Sequence, residues 1–189
     1  ENDELRHAKL TTAPNLLRLE QLEAENERLR KLLLVKEREN AKGQVAQILY
    51  TARDPFSRKV IVDKGQQSGI VAGQPAIDEA GVVGQVTRVF PFSAEITLIT
   101  DKDQAVPVQI VRSGQRSVVF GLGTGQLELR YMPANADVEV GDMLVTSGLD
   151  SVYLQGYPVA KVVGIEREGA YSFARIVAAP IAGVENFGE

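Results

Sequence analysis

Leu19, Leu22, Asn26, Leu29 and Leu33 recur at alternating spacings of three and four, the seam along which two helices wind around each other. After Gly43 the apolar period falls to two, and glycines break the chain into short runs. A leucine stripe left in water forgoes about 1.5–3 kcal/mol per side chain that burial would supply. The chain is therefore constrained to a helix that needs a companion, fused to a β-rich body.

Thr11 or Thr12 can cap such a helix, Pro14 suits its first turn, and Gly43 suits the residue after its end. The spacing predicts a helix over about residues 14–41, roughly 40 Å long at ~1.5 Å per residue. With Leu19 at heptad position a, Leu22 and Leu29 fall at d, and Asn26 and Leu33 at a. Arg18 and Glu25 then take g, while Glu23 and Arg30 take e. A parallel dimer sets Arg18 against Glu23 and Glu25 against Arg30, both opposite in sign. Asn26 would face its own copy and fix the register at some cost in stability. Only two heptads are clean, too few for a strong dimer, so contacts between β-domains or a membrane tether have to add to them. A single amphipathic helix lying on its own β-domain is the other reading of the same stripe.

The absence of cysteine removes disulfides, thiolate chemistry and cysteine-based metal sites. A net charge of −4 offers no basic excess for nucleic acid, and no aromatic-plus-basic stacking pattern accompanies it. No run approaches the ~18 apolar residues that span a bilayer, and no signal-peptide pattern is present. The chain opens on Glu1 rather than Met, so it is expected to be a fragment from which a membrane anchor has been removed.

The β-rich body reads as strands at Gln44–Tyr50, Arg58–Asp63, Pro75–Asp78, Val82–Phe90, Glu95–Thr100, Val106–Arg112, Ser117–Phe120, Gln126–Met132, Met143–Thr146, Tyr157–Arg167 and Ser172–Ala179. Turn chemistry at Lys64-Gly65, Ser68-Gly69, Ala80-Gly81, Ser113-Gly114 and Gly123-Thr124-Gly125 separates them. A glycine turn, short strand, turn and longer strand recur at residues 70–86 and 138–162, as two small barrels of similar design would require. The expected fold is mainly β: an N-terminal coiled-coil helix followed by two small β-barrels resembling those of trypsin-like proteases. Counting strands divides it into 1–42 (N-terminal segment and helix), 43–52 plus 122–182 (one barrel), 53–121 (an inserted barrel) and a tail at 183–189. A simple split near residue 112 is the alternative.

Protease-like barrels raise the question of a nucleophile. His7 is the only histidine and lies upstream of the helix, so no imidazole in the body can serve Ser147 as base. A pair of Ser147 with Lys161 is the one remaining route to serine chemistry, and Lys161 reads first as a solvated strand residue. Asp101-Lys102-Asp103 and Glu166-Arg167-Glu168 read as turn and strand-end charges rather than metal ligands. Gly121-Leu122-Gly123-Thr124-Gly125 lacks the Lys-Ser/Thr and helix start that a phosphate cradle needs, and reads as a hairpin loop. No catalytic residue, metal or cofactor is expected.

From about Leu16 to Pro180 the chain resembles the extracytoplasmic part of the rod shape-determining MreC family. The resemblance rests on the helix, then Asp63-Lys64-Gly65 with Ser68-Gly69-Ile70, Gly81-Val82-Val83-Gly84-Gln85-Val86, Leu98-Ile99-Thr100-Asp101, Val140-Gly141-Asp142-Met143-Leu144-Val145-Thr146-Ser147-Gly148-Leu149 and Gly156-Tyr157-Pro158-Val159. It implies the periplasmic domain of a single-pass inner-membrane protein with a coiled coil and two β-barrels. It also implies dimers or filaments, an elongation-class penicillin-binding transpeptidase as partner, and work alongside MreD, RodA and MreB in lateral cell-wall synthesis.

The expected role is thus a non-enzymatic scaffold. Its dimer interface is Arg18, Leu19, Leu22, Glu23, Glu25, Asn26, Leu29, Arg30 and Leu33. Its partner contacts are sought among aromatics beside turns, Phe56, Phe90, Phe92, Tyr153 and Tyr157. A periplasmic adaptor of an efflux or secretion system, which also joins coiled coil to β-domains, is the alternative, although adaptors of that kind need a helical hairpin and only one long helix is legible here.

Overall fold

The structure, a computed structural model, describes residues 14–29, 43–52, 54–167 and 173–183. The chain divides into two compact units, Glu1–Gly43 and Gln44–Glu189. In the first, residues 14–29 are helical with every side chain exposed. Pro14 is the first described helical residue. No helix among the described residues is long and apolar enough to cross a membrane.

Among its described residues the second unit has eleven strands: β1 (Ile48–Thr51), β2 (Lys59–Val62), β3 (Pro75–Ile77), β4 (Val82–Val89), β5 (Ala94–Leu98), β6 (Ala105–Ile110), β7 (Arg116–Gly121), β8 (Leu127–Arg130), β9 (Met143–Thr146), β10 (Pro158–Glu166) and β11 (Arg175–Pro180). Each falls within a few residues of a run whose alternation predicts it. The first five form an open sheet in the order β1-β2-β5-β4-β3, and the last six close into a barrel in the order β10-β11-β8-β7-β6-β9. All pairings are antiparallel. Along β6, Val106, Val108 and Ile110 point into the barrel while Ala105, Pro107 and Gln109 point out, the two-residue period of a strand with one wet face.

Two expectations are corrected here. One sheet closes and the other stays open: closure needs end strands that can meet, whereas β3 has three residues, begins with Pro75, and ends the sheet opposite a bulged β1. The strands are also shared differently. β1 pairs with β2 in the open sheet rather than joining the later strands, and β6 and β7 belong to the barrel rather than to an insertion over 53–121. The sheets part between Leu98 and Ala105, upstream of the alternative split near residue 112.

That crossover is held by a buried carboxylate. Asp101 accepts the Arg58 N–H through Oδ2 at 2.7 Å and the Asp103 N–H through Oδ1 at 2.9 Å. The Asp101 carbonyl lies so close to Gly121 on β7 that a Cβ there would collide with it. A second tie runs through Asp78, whose Oδ1 accepts the Ala80 and Gly81 N–H groups at 2.8 Å and whose Oδ2 accepts that of Gly183 at 3.1 Å. Open sheet and barrel are thereby fastened at two separate points.

Candidate functional site

The outer face of the barrel over β7 and β8 carries an aromatic and cationic cluster. Register sets Val118 opposite Arg130 and Phe120 opposite Glu128, all facing outward while Val119, Leu127 and Leu129 fill the interior. The Arg130 guanidinium sits 4.4 Å from the Phe120 ring centroid and its Nε lies 3.4 Å from Glu128 Oε2. Tyr131, just past β8, meets Phe120 edge-on, with centroids 6.3 Å apart at 78°. Phe173, also exposed, runs alongside through the Pro133–Phe173 bridge and the Ala174 N–H to Met132 carbonyl bond at 3.0 Å.

Tyr131 is the residue that needs explaining. Its φ is +65°, in the left-handed region, and its side chain is 75% exposed. That backbone breaks the strand alternation: Arg130 and Tyr131 both face water, and Met132 turns into the core. Glycine would make the same turn without the ~1–2 kcal/mol that a Cβ adds there. The chain instead places a tyrosine at the strained position, mostly in water and in contact with Phe120 along one edge. Backbone strain of this kind concentrates at sites that bind, and Tyr, Phe and Arg are the side chains that dominate protein–protein recognition.

The residues expected from sequence fall elsewhere. Phe56, in the β1–β2 turn, and Phe90 and Phe92, in the β4–β5 hairpin, are exposed, and the Arg88 guanidinium lies 5.6 Å from the Phe90 centroid. They do not form one patch, because Phe56 precedes the start of β2 while the hairpin abuts its end through the Val62–Ala94 pair. Tyr153 and Tyr157, at 3% and 7% exposure, are core residues, not surface contacts. Thr146 folds their loop inward: its hydroxyl donates to the Leu154 carbonyl and accepts the Tyr157 N–H, and Asp150 Oδ1 accepts the Val152 and Tyr153 N–H groups. Burial pushes the Tyr153 phenol up from its ordinary pKa. Sequence reasoning missed Phe120, Tyr131 and Phe173; the alternation along Leu127–Arg130 predicts an inward Tyr131, and no glycine or asparagine marks the break.

On the helix, Arg18, Leu19, Leu22, Glu23, Glu25, Asn26 and Leu29 are all exposed on the single chain. Glu25 pairs only loosely with Arg28, at 4.0 Å within the same helix. Arg30 and Leu33 lie outside the described residues, as does His7.

Ser147 and Lys161 are not brought together: the Ser147 hydroxyl is buried without a hydrogen-bond partner, and Lys161 is exposed on β10. Asp101 is occupied by backbone N–H groups, and Glu166 faces Arg175 at 4.0 Å. Among the described residues no group of three or more His, Cys, Asp or Glu is arranged to hold a metal. The strongest charge cluster joins the end of β6 to the turn before β9. Arg112 grips Asp142 with two bonds, Nε to Oδ1 at 2.8 Å and Nη2 to Oδ2 at 3.0 Å, and reaches Asp137 Oδ1 at 2.9 Å. Asp142 Oδ2 also accepts the Glu139 N–H at 2.8 Å. The Arg112 bonds outweigh burial and hold the Asp142 carboxyl below the usual range, while its carboxylate neighbours raise Arg112. This is a structural clamp on the β8–β9 connection.

The family described as "Rod shape-determining protein MreC, barrel core" matches residues 48–189. The cell shape-determining protein MreC of Escherichia coli (strain K12) is 41% identical over 186 residues, covering 98% of this chain and 51% of that protein. The chain therefore spans about half the length of the curated relatives it matches. The crystal structure of MreC from Pseudomonas aeruginosa superposes with a TM-score of 0.73 at 38% identity, over 75% of this chain and 92% of that one. Two more distant structures share the fold. One is described as the major periplasmic domain of the cell shape-determining filament MreC (TM-score 0.60, 20% identity, covering 75% of this chain and 92% of that one). The other is a complex between penicillin-binding protein PBP2 and MreC from Helicobacter pylori (TM-score 0.57, 16% identity, covering 75% of this chain and 90% of that one).

Proposed function

Because this chain belongs to the rod shape-determining protein MreC family, we propose that it is a non-catalytic periplasmic scaffold of lateral cell-wall synthesis. The helix pairs two copies in a coiled coil through its leucine seam. The Phe120–Tyr131–Phe173 face of the barrel docks an elongation-class penicillin-binding transpeptidase, and the assembly works with MreD, RodA and MreB. The observation that carries the docking site is Tyr131, an exposed ring held in a strained conformation for which folding supplies no reason. The Helicobacter pylori complex of PBP2 with an MreC supports the choice of partner. The relative named above and the three structures are MreC proteins or a complex of one, and the scaffold reading is preferred to that of an efflux or secretion adaptor.

Two measurements test it. Binding of the purified transpeptidase ectodomain to Phe120→Ala, Arg130→Ala and Phe173→Ala variants should weaken about tenfold or more for at least one of them, with Phe56→Ala and Phe92→Ala unchanged. The reverse pattern moves docking to the open sheet. Sedimentation of the chain with and without residues 1–42 should show a dimer that depends on the helix; a monomer in both removes the coiled coil.

A further inference from the structure

We propose that the docked enzyme meets the barrel through an acidic segment, one carboxylate of which is gripped by the Arg130 guanidinium beside the Tyr131 ring. This rests on the docking reading above and names the chemistry of the partner's contact. Register places three arginines on the outward face of neighbouring strands. Arg116 lies two residues before Val118 on β7 and shares its face, and Val118 pairs with Arg130 on β8. The pairing of Ile176 with Leu129 brings Arg175 alongside Arg130. Arg130 therefore has Arg175 opposite and Arg116 one diagonal away, ~7–8 Å at the backbone. All three are exposed.

Like charges set opposite each other destabilise a sheet, and the neighbouring acids answer only two of these three. Glu128 lies 3.4 Å from Arg130 Nε, and Glu166 reaches Arg175 only at 4.0 Å. Arg116 has no ion pair among the described residues. In a chain whose acidic residues outnumber its basic ones, 25 to 21, this face reverses the sign locally. It is complementary to a negative partner.

The occupant's chemistry follows from Arg130. The Phe120 ring, 4.4 Å from the guanidinium, holds the planar fork in place. Among the described residues only Nε has a partner, so both Nη groups are left to donate. A fork of that geometry matches a carboxylate, which takes two parallel bonds. A bare polyanion satisfies the charge only. The adjoining rings of Tyr131 and Phe173 select a partner that is apolar beside its carboxylate, as a protein segment is.

Surface plasmon resonance of the transpeptidase ectodomain, read at about 50 and 300 mM NaCl, tests this. Arg130→Gln should weaken binding about tenfold or more, mainly in the off-rate, and Arg130→Lys should not restore it, since an ammonium lacks the fork. Arg116→Gln/Arg175→Gln should lower the on-rate about threefold or more at low salt and flatten its salt dependence, with the off-rate nearly unchanged. Arg175→Gln should melt at or above the wild type, because removing one of two opposed charges relieves the sheet. A fall above about 4 °C makes the arginines structural and overturns the inference. If the arginine variants bind as the wild type while Phe120→Ala, Tyr131→Gly or Phe173→Ala weakens, this inference falls and the docking face stands. If no variant of either set changes binding, both fall. If the arginines matter only for capture of phosphatidylglycerol vesicles, the patch serves a lipid surface and the acidic segment is refuted.

Discussion

Tyr131→Gly separates folding from docking. Glycine removes the strain at φ +65°, a gain of about 1–2 kcal/mol. It also gives the unfolded chain more freedom, at about 0.5–1 kcal/mol. The edge-on contact with Phe120 is lost, worth ~0.5–1.5 kcal/mol and nearer the low end for a ring that is mostly in water. These changes nearly cancel, so the melting temperature should move by no more than about 2–4 °C in a chain of this size. Transpeptidase binding should weaken roughly 30-fold, the ~2 kcal/mol of an interface hot spot. Tyr131→Ala keeps the strained Cβ, loses the ring, and should melt below the glycine variant. Thermal unfolding by circular dichroism and surface plasmon resonance against the transpeptidase ectodomain read both quantities. A fall in melting temperature above about 8 °C with unchanged affinity would make Tyr131 a structural residue and sink the docking assignment.

Asp101→Ala strands the Arg58 N–H at the sheet–barrel crossover, while the exposed Asp103 recovers water; urea unfolding should show a loss of about 1–3 kcal/mol, and a loss under ~0.5 kcal/mol would mean the turn does not need the carboxylate. Asp142 is held below its unfolded pKa by Arg112, so its contribution is full above about pH 5 and disappears as pH falls through that lowered value. The stability gap between the wild type and Asp142→Asn should therefore close in acid, and a gap equal at pH 7 and in strong acid contradicts the clamp. Asn26→Leu should tighten the helix pairing while loosening control of register and copy number. Sedimentation should show larger assemblies, and an unchanged mass and affinity would take Asn26 out of the seam.

Strand existence was legible because it is local: alternation and glycine turns mark all eleven strands near their observed places. Strand partnership was not, because nothing in Gln44–Tyr50 states that its neighbour is β2 rather than a strand a hundred residues on. What decides it is the turn at Leu98–Gln104, where the Asp101 carboxylate binds the backbone of Arg58 ahead of β2 and of Asp103 within the turn, a role that Asp-Lys-Asp shares in sequence with any charged turn. The site failed for a related reason. Proximity to a turn made Tyr153 look exposed, yet Thr146 and Asp150 fold its loop inward through bonds that composition does not announce. Tyr131 escaped notice because left-handed backbone is advertised in sequence by glycine or asparagine, and a tyrosine there carries no local signature.

The two sheets end differently, and this decides how each can recognise anything. A closed barrel has no free backbone edge to offer, so recognition on it must run through side chains, and the cluster at Phe120, Arg130 and Tyr131 is what the barrel presents. An open sheet keeps its edges, and the one without proline or charge is β1. Between them stand Asp101 and Asp78, each binding backbone N–H groups from more than one segment. A hinge at the crossover would have to break those bonds and expose their donors, which is costly. Open sheet and barrel therefore move as one body. If the Tyr131 face holds an enzyme, as proposed, that enzyme is fixed relative to the open sheet as well as to the barrel. Fixing that relation is what the proposed scaffold role would require of this body.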